Sequence, residues 1–137
     1  MKNSNEIPWP YLAGLIDGEG SIQIYKHRGT YEYRLKIGNT DLRLMQWLIS
    51  NVGGKYYTET NRNKDKHKTL HQWRTTGINN TKKVLEEVVP FLVLKQEQAK
   101  ILLKYFEAES TKGRELLYLK LIPLNKRGVK VWYSLNS

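Results

Sequence analysis

Two carboxylates stand close together in an apolar segment near the start of the chain. Asp17 and Glu19 end the run Leu12–Gly20, which reads LAGLIDGEG, on a chain with 23 Lys and Arg against 13 Asp and Glu. Acids near a helix C-terminus oppose the helix dipole, so merely ending a helix is a poor use of them. Hard oxygen ligands suit Mg²⁺, which proteins commonly hold through one or two carboxylates and phosphate oxygens. Such an ion can activate a water molecule and stabilise a leaving oxygen.

The same segment carries glycines at a spacing that suits close helix packing. Gly14 and Gly18 are four residues apart, with Ala13 beside them. Each glycine costs a helix about 1 kcal/mol relative to alanine, so a benefit elsewhere is expected. Small residues at this spacing let two helix backbones approach closely, as is best known from membranes. Since Asp17 and Glu19 argue against a membrane span, we expect the helix to pack against its own copy across a two-fold axis.

Charge and composition narrow the class of protein. The 137 residues carry a formal charge of +10 and a pI near 9.7, which favours a polyanionic partner over a merely soluble basic surface. The chain has no cysteine, which excludes disulfides, thiolate nucleophiles and cysteine zinc sites. No apolar run approaches the ~20 residues of a membrane span. The N-terminus lacks the apolar stretch of a signal peptide. We therefore expect no membrane partner and an intracellular setting, organellar (chloroplast or mitochondrion) or microbial or phage.

Hydrophobic periodicity predicts the elements that must position these residues. A first helix starts near Pro8 and Pro10 and ends near Gly20, and alternating strands follow at 21–27 and 31–37. Capping residues at 39–41 precede a helix that Gly53 and Gly54 stop. Two more strands at 55–62 and 68–76 lead into helices at 80–89, 95–109 and 114–124. The pattern predicts an α+β domain over 1–137, with one four-stranded antiparallel sheet and helices on one face.

The other face of this sheet is predicted to be polar. Strands of eight to ten residues span roughly 30 Å at ~3.3 Å per residue. Such strands can follow about nine base pairs of duplex DNA, and a two-stranded ribbon fits the major groove. An ordinary solvated sheet face is the simpler alternative. The residues predicted to face DNA are Gln23, Tyr25, His27, Glu32, Arg34, Lys36, Gln72 and Arg74, with Tyr56, Thr58, Thr60 and Arg62 from the third strand.

The nine-residue run resembles the signature of the LAGLIDADG homing endonucleases. It matches that signature at seven of nine positions and differs by Gly18 in place of Ala and Glu19 in place of Asp. The predicted element order is similar to the αββαββα core of that family. The segment 90–99, which reads PFLVLKQEQA, also resembles a segment of the single-motif homodimeric members.

The resemblance implies a fold and a set of site residues. Family members have a saddle-shaped sheet, and their motif helices pack at the dimer interface, here Leu12, Ala13, Gly14, Asp17 and Gly18. Their last motif acid reaches the scissile phosphate with a divalent metal. That role falls on Glu19 with the adjoining Gly18, which leaves Asp17 mainly structural. Lys95 matches an active-site lysine, and Asp41 matches a polar residue near the metal-bound water. A basic active-site residue expected at Met45 is missing.

The resemblance further implies a function. It predicts an intron-encoded, Mg²⁺-dependent nuclease that acts as a homodimer and cuts both strands of a long pseudo-palindromic DNA site. Three alternatives stay open from the sequence. These alternatives are an RNA-binding maturase with intron RNA as its partner, a DNA-binding relative without catalysis, and one half of a heterodimer.

Overall fold

In the computed structural model, which describes residues 6–59 and 69–126, helices and strands follow each other in the predicted order. The helices are α1 (Trp9–Glu19), α2 (Leu42–Asn51), α3 (Gly77–Val88), α4 (Gln96–Glu107) and α5 (Thr111–Asn125). The strands are β1 (Gly20–His27), β2 (Thr30–Asn39), β3 (Lys55–Glu59) and β4 (Leu70–Arg74). A short 3-10 turn, Val89–Phe91, lies between α3 and α4. Of these helices, none has the length and apolar character needed to cross a membrane.

The four strands form one antiparallel sheet in the order β1-β2-β4-β3. A two-residue turn joins β1 to β2, and both of its residues, Arg28 (φ 51°) and Gly29 (φ 82°), have positive φ. Such turns match the right-handed twist of paired strands. In the hairpin that results, Ile22 faces Leu35 and Gln23 faces Arg34. The α+β fold with a four-stranded antiparallel sheet is therefore confirmed.

One face of the sheet forms the core with the helices. Ile22, Leu35, Ile37 and Trp73 are buried there. The Trp73 indole N–H donates a 2.8 Å hydrogen bond to the carbonyl of Gly53, which ties β4 to the end of α2. The predicted alternation of β1, β2 and β4 is correct, and Trp73 lies on the buried side of β4.

Helix α1 packs into this core along one side and leads directly into β1. Leu12, Ala13 and Ile16 are fully buried. At the C-terminal end, a β-carbon added at Gly20 would lie 2.8 Å from the Ile16 α-carbon. The last glycine of the motif therefore permits a sharp change from helix to strand, which brings α1 and β1 together at Glu19.

Two predicted helix starts differ from the structure. Helix α3 begins at Gly77, three residues before the predicted start, and the Asn80 side chain accepts a 2.9 Å hydrogen bond from the Thr76 backbone N–H. Helix α5 begins at Thr111, because the Ser110 hydroxyl accepts a hydrogen bond from the Gly113 N–H and caps it. Neither shift moves a candidate site residue.

Candidate catalytic site and nucleic-acid interface

The carboxylate of Asp17 is used inside its own chain. It accepts backbone hydrogen bonds from Val93 (2.7 Å), Leu94 (3.1 Å) and Lys95 (3.0 Å), at the start of α4. These bonds join the C-terminal end of α1 to the N-terminal end of α4. The arrangement agrees with a structural use of Asp17. The predicted place of Asp17 in a subunit interface stays a prediction, because the residue is only partly buried within the single chain.

Glu19 differs from Asp17 because its side chain lies at the surface. Its Oε2 accepts a 2.7 Å hydrogen bond from the Asn39 side-chain amide. The carbonyl oxygen of the same amide accepts a 2.8 Å hydrogen bond from the Asp41 backbone N–H. Asn39 therefore connects the two acids that the sequence assigns to catalysis. No site role was predicted for Asn39. Its sequence position does carry a signal, because the alternation of Tyr33, Leu35 and Ile37 leads one to expect an apolar residue at position 39, and a polar one stands there.

Asp41 caps helix α2. Its Oδ1 accepts a 2.9 Å hydrogen bond from the Arg43 backbone N–H, and its carboxylate pairs with the Arg43 guanidinium at 2.7 Å. This ion pair raises the pKa of Arg43. Met45, where the resemblance implied a basic residue, is buried in the core. The basic residue paired with Asp41 is Arg43, whose side chain is 89% exposed.

Lys95 also lies at the end of α1. Its ammonium donates a 2.6 Å hydrogen bond to the backbone carbonyl of Asp17, two residues before Glu19. The fold therefore brings a cation from a distant part of the sequence to the acidic end of the motif. This position is compatible with the active-site role predicted for Lys95.

The outer face of α1 is bare. Gly14 and Gly18 are exposed, and a β-carbon added at either would meet no atom within 4 Å. Tyr11, one turn earlier on the same face, is 53% exposed. In contrast, Leu12 and Ala13 are 0% exposed within the single chain, so their predicted place in a subunit interface is wrong. Packing in the single chain does not explain the two glycines.

The strand register decides which side chains lie on the polar face. The face opposite the Trp73 core carries the eight residues predicted from β1, β2 and β4, namely Gln23, Tyr25, His27, Glu32, Arg34, Lys36, Gln72 and Arg74. Their shared orientation follows from strict alternation across paired strands. Whether they contact DNA stays a prediction.

The orientation predicted for β3 is wrong. Tyr56 pairs with Trp73 and Thr58 pairs with His71, so both lie on the helix-packed side. The Thr58 hydroxyl also lies 2.8 Å from Nδ1 of His71. The β3 side chains on the polar face are instead Lys55, Tyr57 and Glu59. Two adjacent tyrosines hide the alternation of this strand, and its phase is visible only from the pairing with β4. Thr60 and Arg62 lie outside the described residues.

The acids of one chain do not form a closed metal site. The described residues contain no group of three or more His, Cys, Asp and Glu arranged to hold a metal ion. Mg²⁺ does not need such a cage, because it is usually held by one or two carboxylates with water and phosphate. An exposed carboxylate with one oxygen held by Asn39, as at Glu19, fits that mode of binding.

The chain is thus an αββαββα protein with a polar sheet face beside an exposed acid at the end of its first helix. A family model described as LAGLIDADG endonuclease matches residues 12–106, more than half of the chain. The chain therefore belongs to the LAGLIDADG endonuclease family. No curated protein matches it.

Solved structures share the fold. The homing endonuclease I-CvuI in complex with its target has a TM-score of 0.68 at 22% identity, covering 88% of this chain and 83% of that chain. The archaeal intron-encoded homing endonuclease I-Vdi141I complexed with DNA has a TM-score of 0.66 at 15% identity, covering 91% and 88%. The LAGLIDADG meganuclease I-AabMI bound to uncleaved DNA has a TM-score of 0.64 at 20% identity, covering 88% and 44%. At these identities the likeness shows a common fold.

Proposed function

We propose that this protein is a site-specific homing endonuclease that hydrolyses both strands of duplex DNA at a long pseudo-palindromic site. The observation that carries the proposal is the exposed carboxylate of Glu19 at the end of a helix whose outer face is two bare glycines. A second copy packed on Gly14 and Gly18 across a two-fold axis would bring two such carboxylates close together, one for each DNA strand.

Duplex DNA is the substrate that the surroundings of Glu19 favour. The polar face of the sheet starts beside Glu19 and carries Arg34, Lys36, Lys55 and Arg74. The fold is shared with homing endonucleases whose structures contain DNA. A net charge of +10 agrees with a polyanionic partner.

A divalent metal, Mg²⁺ in our proposal, is the cofactor. Glu19 with the adjoining Gly18 would hold it, and the bound ion would activate the attacking water and stabilise the leaving oxygen. Structures of I-CvuI with DNA were solved in the presence of Ca and of Mg. The chain's own residues orient the site: Asn39 holds one oxygen of Glu19, and Lys95 supplies positive charge at the end of α1.

The first test is cleavage of a randomised duplex pool by the purified protein in Mg²⁺, with selection of the cut sites. We expect cut sites with two-fold symmetry and no cutting after EDTA treatment. Glu19→Gln keeps the shape and removes the charge, so it should abolish cutting while binding to the selected site persists. Glu109→Gln, between α4 and α5, is the matched control and should cut normally.

The outcomes separate the proposal from its alternatives. Normal cutting by Glu19→Gln would remove Glu19 from catalysis. Binding without cutting in every divalent metal would indicate a DNA-binding relative that lacks catalysis. Binding to structured RNA but not to duplex DNA would indicate an intron maturase.

A further inference from the structure

Four side chains form an oblique row across the polar face of the sheet, one from each strand. The order is Tyr25 on β1, Arg34 on β2, Arg74 on β4 and Tyr57 on β3, and each member is diagonal to the next in the strand register. The Arg34 guanidinium lies 5.0 Å from the ring centre of Tyr25, and that of Arg74 lies 4.3 Å from the ring centre of Tyr57. We call these four residues the Tyr–Arg row.

The two arginines of the row are neighbours without an acidic partner. Among the described residues, no carboxylate forms an ion pair with either guanidinium. The Arg74 Nε and the Tyr57 hydroxyl are buried and have no hydrogen-bond partner within residues 6–59 and 69–126. Burial and the nearby Arg34 lower the pKa of Arg74. Two neighbouring guanidinium groups repel each other, and a ligand that offers acceptors to their terminal nitrogens would offset that repulsion.

The stacking favours a flat ligand with two acceptors over a single phosphate oxygen. A ring beneath a guanidinium fixes its plane and leaves its edge free to donate. That edge matches the O6 and N7 acceptors of guanine in the major groove, the commonest specific contact of arginine with DNA. A phosphate contact alone needs only a point charge, which lysine supplies.

We infer that Arg34 and Arg74 each read a guanine in every half-site, and that Tyr25 and Tyr57 are positioning residues for them. The inference rests on the proposed function and adds the bases that the sheet recognises. Diagonal neighbours on paired strands lie about 7–8 Å apart at their β-carbons. Since base pairs rise about 3.4 Å, the two guanines should lie about two base pairs apart.

The experiment selects bound duplexes from a randomised pool with Ca²⁺ in place of Mg²⁺. For the unmodified protein we expect two strongly preferred G·C pairs, about two base pairs apart, in each half-site. Arg74→Lys keeps the charge and loses the two-pronged edge, so one of the two preferences should disappear. Affinity for the selected site should fall roughly tenfold to hundredfold. Arg34→Lys should remove the other preference.

Two tyrosine variants test the positioning role. Tyr57→Leu removes the ring and should weaken only the preference that depends on Arg74. Tyr57→Phe keeps the ring and should retain that preference. Thermal unfolding of each variant shows whether the fold is intact, and Arg34 with Tyr25 provides an independent second pair if a β3 or β4 variant does not fold.

Clear results would overturn the inference. If both Arg→Lys variants keep the base preferences of the unmodified protein, the arginines do not read bases. If Arg74→Gln weakens binding equally for all sequences and lowers the salt dependence by about one ion, Arg74 contacts phosphate instead. If the protein still cuts DNA at symmetric sites, either of these results leaves the proposed function intact. If the protein binds no duplex DNA at all, both the inference and the proposed function are overturned.

Discussion

At the scale of single residues, the site depends on how Glu19 is held. Its side chain is one methylene longer than the aspartate of the family signature, and longer side chains lose more rotamer freedom when fixed. Asn39 limits that freedom because its side-chain amide donates a 2.7 Å hydrogen bond to Oε2 of Glu19. The orientation of Asn39 is set in turn by the hydrogen bond that it accepts from the Asp41 backbone N–H. The polar link from Glu19 to Asp41 therefore joins the end of α1, the end of β2 and the N-cap of α2.

This link gives a prediction for Asn39. Asn39→Leu has a similar size and cannot donate, so we expect the cleavage rate to fall about tenfold or more, because Glu19 loses its fixed position. Single-turnover cleavage at saturating protein measures the rate, and Ca²⁺-supported binding to DNA shows whether the surface is intact.

A double-mutant cycle with Glu19→Asp supplies the control. If Asn39 acts by holding the longer side chain, its substitution should cost much less in the Glu19→Asp background. Equal losses in both backgrounds would show that Asn39 acts on something other than Glu19.

At the scale of elements, most of the fold follows from local patterns. The β1–β2 hairpin was predictable because Ile22 and Ile24 on one strand, and Leu35 and Ile37 on the other, mark one face without ambiguity. The sequence does not predict which side chains of β3 face the core, because Tyr56 and Tyr57 are equally suited to either face. Only the pairing with β4, fixed by burial of Trp73, decides it.

The same reasoning applies to the candidate site. Asp17 and Glu19 are visible in the sequence because acids are unusual in an apolar helix. The partners of these acids come from 20 to 78 residues away, at Asn39 and at Val93, Leu94 and Lys95. No local pattern shows such contacts, since they depend on the packing of α1 against the 3-10 turn before α4 and on the end of β2.

The corrected register of β3 can be tested by a matched pair. Lys55 lies on the polar face and Thr58 on the helix-packed face. Lys55→Gln should weaken DNA binding for all sequences and lower its salt dependence by about one ion, because a phosphate contact is lost. Thr58→Val should leave DNA binding unchanged. Fluorescence titrations at several salt concentrations measure both, and the reverse pattern would show that β3 presents its other side to DNA.

At the scale of the whole molecule, one side of α1 is buried in the core and the other side is exposed. Leu12, Ala13 and Ile16 pack into the chain's own core, whereas Gly14 and Gly18 face outward. Near its end lie Val93 and Leu94, which are 83% and 70% exposed while their backbones bind Asp17. Exposed apolar residues beside a bare helix face favour a second copy as the partner.

Gly14→Leu tests this assembly. Because no atom lies within 4 Å of the added β-carbon, we expect the single chain to fold normally and the helix to gain intrinsic propensity. The bulk should separate two subunits, so the mass in analytical ultracentrifugation should fall from dimer to monomer and cutting should be lost. Leu116→Ala, an exposed apolar position on α5, is the control and should stay dimeric. A dimer of unchanged stability in Gly14→Leu would move the interface away from α1.

The alternation of the strands separates two selective pressures. Ile22, Leu35 and Trp73 are buried in the core, whereas Arg34 and Arg74 lie on the opposite face of the same strands. Under the proposed function, a heritable change on the polar side alters which DNA sequence is bound without changing the residues of the core. The same function would let base preference change one strand position at a time, whereas a change in α1 would act on the core, on the proposed contact with a second copy and on the position of Glu19 together.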